Sequence, residues 1–360
     1  MSGIFAAIGA FFVAACPVWN FIINALTYGA TFIYGATGEI ITEKSGHLNL
    51  GIPGIMCMGG AGGCLALDIL CKAMDISKVN ADLTTVQTLE LLIIPILCAF
   101  IMAALCGLIY SFLTITLRVN QNVTGLALTT FGSGLMMVIM ATLDSKFYLN
   151  RAKALFRVPY LPYKEFSALK KQLSNANLDK LVNMGPMFFL AILIAVAAWL
   201  VLYRSKTGLN LRAVGESPAT ADAAGINVTR YKYLATVIGS GIAGLGGFYY
   251  IIDYMQSPEA YKSIEALGWL SVALVIFSLW RPQLTIVGAT LFGLLSICPF
   301  TLPNLLKDMM NISLPMAITP LLNMLPYVVT VLVLIITSVR NRRENQPPAS
   351  LGLSYFREDR

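Results

Sequence analysis

Long apolar runs separated by short polar stretches dominate the pattern along the chain. The runs cover residues 21–41, 55–70, 91–117, 123–143, 183–202, 234–252, 266–280, 284–297 and 327–339. Several of them reach the roughly 20 residues that a helix needs to cross a bilayer. The short alternating segments typical of membrane barrels do not persist anywhere in the sequence. The pattern therefore predicts an all-α integral membrane protein, a polytopic helical bundle of about 8–10 spans.

Composition supports this interpretation and narrows the function classes. Only 12% of the residues are charged and 57% are hydrophobic, with a mean hydropathy of +0.73, whereas soluble domains carry about 25% charged residues. The net charge of +7 suits positive loops beside anionic lipid, and no concentrated basic face predicts nucleic-acid binding. The seven cysteines show no CxxC spacing, and the single histidine has no partner set, so no metal site is predicted.

The polar segments suggest three regions. Residues 1–19 form an N-terminal interfacial or short membrane helix, residues 20–340 the transmembrane domain, and residues 341–360 a disordered tail. The basic loops 144–182 and 203–233 flank one span and so lie on opposite sides. Four spans separate the 203–233 loop from the arginines that follow the last run. Both are therefore expected on one side, which the positive-inside rule makes cytoplasmic.

One polar island, residues 203–233, contains a short helix with recognisable ends. Ser217 suits the N-cap, Pro218 the first helical position, and Gly225 the left-handed position that terminates a helix. The residues between them are mostly alanine, which cannot fill a core. We expect this helix to lie on the membrane surface and present a narrow ridge to another protein.

A second interruption, GEIITEKSGHLNLGIPG at residues 38–54, predicts a broken helix because of Gly46, Gly51, Pro53 and Gly54. Irregular backbone at membrane depth is tolerated only where it is buried or lines a water-filled cavity. A discontinuous segment beside a solute path, with the polar Asn49 facing it, fits this pattern; an ordinary surface loop is the alternative. The stretch 257–270, SPEAYKSIEALGWL, is a counterpart on the other side, as inverted repeats would require.

Other polar and aromatic residues could contact a neutral solute. Asn120, Asn122 and Thr124 stand at the start of a span, where they could bind solute or satisfy free backbone groups of a helix end. Trp269 could stack on a ring. No charged residue is expected in the middle of a span, which argues against a proton-coupled carrier. The sequence contains no GxxxxGK[ST], HExxH or GxSxG motif, so no catalytic residues and no cofactor are predicted.

Three segments resemble a known family. TEKSGHLNLGIPGIM resembles the SERSG-hydrophobic-NIGLEGMM signature of bacterial ABC-importer permeases for nucleosides and simple sugars, which are related to branched-chain amino acid permeases. GLNLRAVGESPATADAAGINVTRYK is similar to the coupling loop of that family, and GWLSVALVIFSLWRPQLTIVGATLFG to its late helix pair. The resemblance extends from about residue 20 to 340. Pro53 replaces the glutamate that the family usually has.

The resemblance implies a type II ABC importer permease fold with inverted repeats, in a bacterial cytoplasmic membrane. It implies a second, similar permease as partner, a cytoplasmic ATPase subunit that binds the ATP, and an extracytoplasmic solute-binding lipoprotein. Asn49, Gly51 and Gly54 map onto the solute pathway. The residues that map onto the ATPase-coupling helix are Gly215, Glu216, Ser217, Pro218, Ala219, Ala223, Ala224, Gly225 and Ile226.

The expected function is translocation of nucleosides, of purine type, by alternating access coupled to that ATPase. Simple sugars, riboflavin or branched-chain amino acids are alternative solutes for the same mechanism. A self-sufficient channel or secondary carrier is the alternative from another class, and it would give flux without ATP.

Overall fold

The computed structural model describes residues 16–74, 85–144, 184–310, 318–340 and 346–355. The helices are α1 (Cys16–Glu43), α2 (Ile52–Ala73), α3 (Thr85–Ser111), α4 (Gln121–Thr142), α5 (Pro186–Arg204), α6 (Lys206–Glu216), α7 (Pro218–Ala223), α8 (Val228–Tyr249), α9 (Ile264–Phe277), α10 (Pro282–Met310), α11 (Thr319–Asn323) and α12 (Leu325–Arg340). Short π-helices, Phe112–Thr116 and Tyr250–Met255, extend α3 and α8, and a 3₁₀ turn, Ala260–Ser263, precedes α9. The described residues contain no strand, so the all-α prediction is confirmed.

Seven helices in the described part of the chain are long and apolar enough to cross a membrane: α2, α3, α4, α5, α8, α9 and α10. Helix α1 is less apolar, but its 28 residues extend about 42 Å at the usual rise of about 1.5 Å per residue. Helix α12 belongs to a shorter apolar helical stretch and packs against α9 and α10. The described bundle thus agrees with the predicted number of spans, and the chain is a multi-pass membrane protein.

The bundle has two ends that differ in content. One end, called here the α7 end, holds α6, α7, the break between α1 and α2, and the C-terminal segment 346–355. The opposite end holds the Tyr250–Met255 π-helix and the starts of α5 and α9. The predicted placement of the 203–233 loop and the C-terminal residues on one side of the bundle agrees with this arrangement.

Helix packing shows an inverted repeat. In the first half α1 runs toward the α7 end and breaks there before α2, and in the second half α8 runs away from it and breaks before α9. Helix α1 of the first half packs most extensively against α10 of the second half. Helix α8 of the second half packs most extensively against α3 of the first half. This exchange is what a pseudo-twofold axis in the membrane plane produces.

Glycines allow α1 and α8 to approach closely at the centre of the bundle. A Cβ atom at Gly38 would lie 2.2 Å from the carbonyl oxygen of Gly239, and one at Gly239 would lie 2.4 Å from the oxygen of Gly38. In lipid, helix association depends on such backbone contact because apolar burial between helices gives little driving force. Gly59 of α2 makes a similar contact with Gly244 of α8, where a Cβ would lie 2.3 Å away.

The tail was expected to be disordered, but residues 346–355 are ordered against the α7 end, so that expectation is wrong for this segment. Most of the proposed N-terminal region 1–19, and the loop between α4 and α5 over residues 145–183, lie outside the described residues. Their predicted roles stay predictions.

Candidate functional site

The break at the α7 end is a buried loop that re-enters the protein. Helix α1 ends at Glu43, and residues 44–51 turn back before α2 begins at Ile52. The Asn49 amide donates to Glu39 Oε1 at 3.0 Å, and the Leu48 amide donates to Gln121 Oε1 at 2.9 Å. Side chains therefore satisfy the freed backbone groups, as buried irregular backbone requires. The predicted discontinuous segment is present, and it is buried in protein.

The three pathway residues predicted here serve packing in this conformation. The Asn49 side-chain oxygen accepts from the Gly51 amide at 2.9 Å, and the Asn49 Nδ2 group is buried without a partner among the described residues. A Cβ atom at Gly54 would lie 2.4 Å from the carbonyl oxygen of Leu128, which explains glycine there. Asn49, Gly51 and Gly54 do not line the two large cavities described below, so their place in a solute path stays a prediction.

The polar residues at the start of α4 cap that helix. Asn120 Oδ1 accepts from the amides of Asn122 and Val123 at 2.9 and 3.1 Å, and the Thr124 hydroxyl donates to the Asn120 carbonyl at 2.8 Å. Of the two interpretations of these residues, the structure shows the helix-end role. Their neighbour Gln121 is the residue that reaches the break.

Two buried glutamates of α1 were missed. Glu39 is fully buried and Glu43 is 3% exposed, which contradicts the expectation that no charged residue lies within a span. Glu39 accepts a hydrogen bond from the backbone amide of Asn49 in the break. Glu43 accepts a hydrogen bond from the indole N–H of Trp280. Their spacing of four residues places both on one helix face. Two acids at that spacing in an apolar run could have indicated from the sequence that both are buried and paired.

The opposite end contains a cavity of about 790 Å³ beside the second break. Its aromatic wall is a cluster of three tyrosines: the rings of Tyr28 and Tyr254 are 5.2 Å apart and nearly perpendicular, and Tyr250 stacks on Tyr254 at 5.9 Å. Gln256, with a φ of 49°, follows the π-helix that carries Tyr250 and Tyr254, whereas Tyr28 lies on α1. Other lining residues include Asn24, Ser263, Ser296, Phe300, Thr301, Asn323 and Tyr327.

This cavity combines flat aromatic faces with amide and hydroxyl groups and has no charged lining residue among those described. Such walls suit a neutral ring-bearing solute, since the rings stack and the amides fix the edge of the ligand. Tyr28 and Tyr250 were not predicted as site residues. Trp269 was predicted as a site residue, but it is half-buried on α9 and does not line the cavity.

The predicted caps of α7 are all present. The Ser217 hydroxyl accepts from the Thr220 amide at 3.4 Å, Pro218 occupies the first turn, and Gly225 has a φ of +82°. Ala221 is buried against Val214 and Val228. The helix therefore rests on a small apolar base and turns its other face to solvent. Of the predicted coupling residues, Glu216, Ala219, Ala223, Ala224 and Gly225 are exposed, Ser217, Pro218 and Ile226 are half-buried, and Gly215 is buried.

Gly215 connects this helical pair to the break. A Cβ atom there would lie 2.3 Å from the carbonyl oxygen of Lys44, so the end of α6 touches the loop that follows α1. The C-terminal segment reinforces this contact. Ser350 donates twice to the Gly215 carbonyl, from its amide at 3.1 Å and its hydroxyl at 2.6 Å, and the Gly352 amide donates to the Gly46 carbonyl at 3.3 Å.

The chain is similar to known transport proteins. The family described as "Branched-chain amino acid transport system / permease component" matches residues 21–338. The chain is 31% identical to the "Putative glucose ABC transporter permease protein TsgC13" of Haloferax volcanii, over 94% of this chain and 98% of that protein. It is 28% identical to the guanosine ABC transporter permease protein NupQ of Bacillus subtilis, over 93% and 96%. It is 27% identical to the nucleoside ABC transporter permease protein NupC of Lactococcus lactis, over 87% and 90%.

Proposed function

Because the chain belongs to the family of permease components of branched-chain amino acid transport systems, we propose that it is the membrane-spanning subunit of an ATP-driven importer for nucleosides of the purine type. Two of the relatives above are named for guanosine or nucleosides, and one for glucose. Transport proceeds by alternating access, and a separate subunit binds and hydrolyses the ATP.

The observation that carries the nucleoside assignment is the tyrosine-lined cavity at the opposite end. Tyr28, Tyr250 and Tyr254 supply ring faces, while Asn24 and Asn323 supply amides that can donate and accept. A purine nucleoside uses both kinds of group, because its base stacks and its edge and ribose form hydrogen bonds. A sugar would use mainly the polar groups.

The α7 end supports the coupling proposal. The exposed side of α7 presents small residues, among them Ala219 and Ala223, and such a ridge fits a groove on another protein. Pushing on α7 would displace Gly215, which touches the loop after α1. Force applied by an ATPase would therefore reach the break and the interface of α1 with α8. This end then faces the cytoplasm and the tyrosine cavity faces outward.

The assembly that we propose contains the partners that this role requires. A second, homologous permease completes the pathway, a cytoplasmic ATP-binding cassette subunit docks on α7, and a solute-binding lipoprotein delivers solute to the tyrosine cavity. The complex lies in the cytoplasmic membrane of a bacterium.

Uptake by the reconstituted complex tests the solute assignment. We expect ATP-dependent uptake of labelled guanosine that unlabelled nucleosides suppress and that glucose, riboflavin and leucine leave unchanged. Tyr254→Ala is expected to lower guanosine uptake about tenfold, since stacking on an aromatic ring contributes about 1–3 kcal/mol per base. Tyr254→Phe keeps the ring and should retain most of it. Suppression by glucose alone would refute the nucleoside assignment and leave the permease role intact.

A second experiment separates the importer from a channel or secondary carrier. Liposomes that contain this chain alone should show no guanosine flux, with or without ATP. Flux that persists without the ATPase subunit would contradict the proposal.

A further inference from the structure

A second large cavity lies at the α7 end, and the transport mechanism proposed above does not use it. It measures about 730 Å³ and is bordered by the start of α8, the π-helix that follows α3 and the C-terminal segment. Leu353 and Tyr355 form the wall that this segment contributes. Because the segment lies against α7, an occupant of the cavity would contact the region on which the ATPase is proposed to act.

Lys232 lines this cavity and is only 3% exposed. Within the described part of the chain its ammonium group has no ion pair and no hydrogen-bond partner. Burying an unpaired charge is expensive, and removal of one partner from a buried pair is strongly destabilising for the same reason. Lys232 therefore presents a largely desolvated ammonium group to the cavity, where a bound anion would compensate its charge.

The rest of the cavity wall is also suited to an anion. Arg118 and Arg230 lie on the wall with Lys232, and guanidinium groups bind phosphate through paired hydrogen bonds. Asp222 is the one acid among the lining residues described, and it already accepts from the Tyr355 hydroxyl at 2.9 Å. Three cationic side chains thus face a cavity whose single acid is engaged by the C-terminal segment.

His47 also lines the cavity, and its ring is neutral. The Thr114 hydroxyl donates to the Tyr110 carbonyl at 2.6 Å, so in its 2.8 Å contact with His47 Nε2 the hydroxyl oxygen accepts. Nε2 therefore carries the proton, and Nδ1 is a bare acceptor, buried without a partner among the described residues. Burial and the nearby Lys232 lower the pKa of His47 to about 3, so this neutral form persists at physiological pH.

We propose that this cavity is a binding site for the phosphate group of an organic phosphate. Lys232, Arg118 and Arg230 hold the phosphate oxygens, and the neutral His47 ring adds no competing charge to the wall. Two sources present this chemistry: a free sugar or nucleoside phosphate monoester, and the headgroup of a phospholipid such as phosphatidylglycerol.

The test compares Lys232→Met with Lys206→Met in the full-length protein. Methionine retains an apolar stem of similar length, and Lys206 is an exposed lysine of α6 that does not line the cavity, so it serves as the matched control. Guanosine 5′-monophosphate, with guanosine as the uncharged comparison, is titrated by calorimetry in detergent. Native mass spectrometry follows retention of phosphatidylglycerol against phosphatidylcholine.

The expected result is binding of one phosphate-bearing probe that Lys232→Met weakens at least about tenfold, the loss typical of a charge-assisted hydrogen bond, and that Lys206→Met leaves unchanged. Lys232→Met should also unfold at an equal or higher temperature than the unliganded parent, because the unpaired charge is gone. Monophosphate binding identifies the free ester as the source, and selective phosphatidylglycerol retention identifies the lipid.

Three results would overturn the proposal. The first is that neither probe binds the parent protein. The second is that Lys232→Met and Lys206→Met lose affinity equally, which would indicate nonspecific charge effects. The third is that Lys232→Met abolishes only association with the ATPase while no phosphate binds, since an acidic side chain of the partner would then occupy the cavity.

Discussion

The hydrogen bond between Glu43 and Trp280 offers the sharpest test of how the α7 end is held together. Glu43 is 3% exposed and Trp280 is 6% exposed, and the indole N–H donates to the carboxylate. The bond joins the end of α1 to the turn between α9 and α10. In that turn Leu279 and Trp280 have φ angles of 52° and 55°, which are unfavourable for residues with side chains and must be held by their surroundings.

The expected magnitude follows from burial. A hydrogen bond to a charged group contributes about 1.5–3 kcal/mol, and a buried partner left unsatisfied costs about as much again. Trp280→Phe removes the donor and should destabilise the protein by about 2–4 kcal/mol, including lost packing. Glu43→Gln keeps an acceptor and should cost less. The double variant should therefore be less destabilised than the sum of the two single variants, with a coupling energy of about 1–2 kcal/mol.

Unfolding by SDS in mixed micelles, monitored by circular dichroism, measures these free energies. Trp199→Phe, which replaces a half-buried indole of α5, controls for the general loss of an indole ring and should cost less than Trp280→Phe. Additivity of Glu43→Gln and Trp280→Phe within about 0.3 kcal/mol would refute the reasoning, because independent sites add to that accuracy.

Three further predictions concern other parts of the molecule. Gly54→Ala should destabilise the bundle by about 1–3 kcal/mol through overpacking, while Gly134→Ala, where a Cβ meets nothing within 4 Å, should be neutral in the same unfolding assay. Ala223→Arg should abolish co-purification with the ATPase subunit and uptake, whereas Thr207→Arg on α6 should not; unchanged association would contradict the coupling role. The pKa of His47 is lowered from 6.5 to about 3, so the unfolded chain takes up a proton that the folded chain does not. The free energy of unfolding should therefore decrease as the pH is lowered from about 6.5 to about 3, and His47→Gln should flatten this part of the profile.

Much of the fold was predictable because local sequence fixes it. Lipid imposes span length, so the apolar runs located the helices, and the caps of α7 at Ser217, Pro218 and Gly225 depend on neighbouring residues alone. The break near Gly46 was visible because glycine and polar residues interrupt an apolar pattern that lipid would otherwise require.

The tyrosine-lined cavity and the role of the buried polar residues were decided by tertiary structure. Tyr28 and Tyr254 are more than 200 residues apart and meet only because α1 packs against α8. Glu43 and Trp280 are 237 residues apart in sequence. The sequence around either residue therefore could not show that they form a hydrogen bond with each other. The prediction of a disordered C-terminal segment was wrong for the same reason. Its polar composition suggests disorder, but its Ser350 and Gly352 form hydrogen bonds with the carbonyl groups of Gly215 and Gly46, which are distant in sequence. Local propensity determines where helices begin and end, whereas long-range contacts determine which of their side chains share a site.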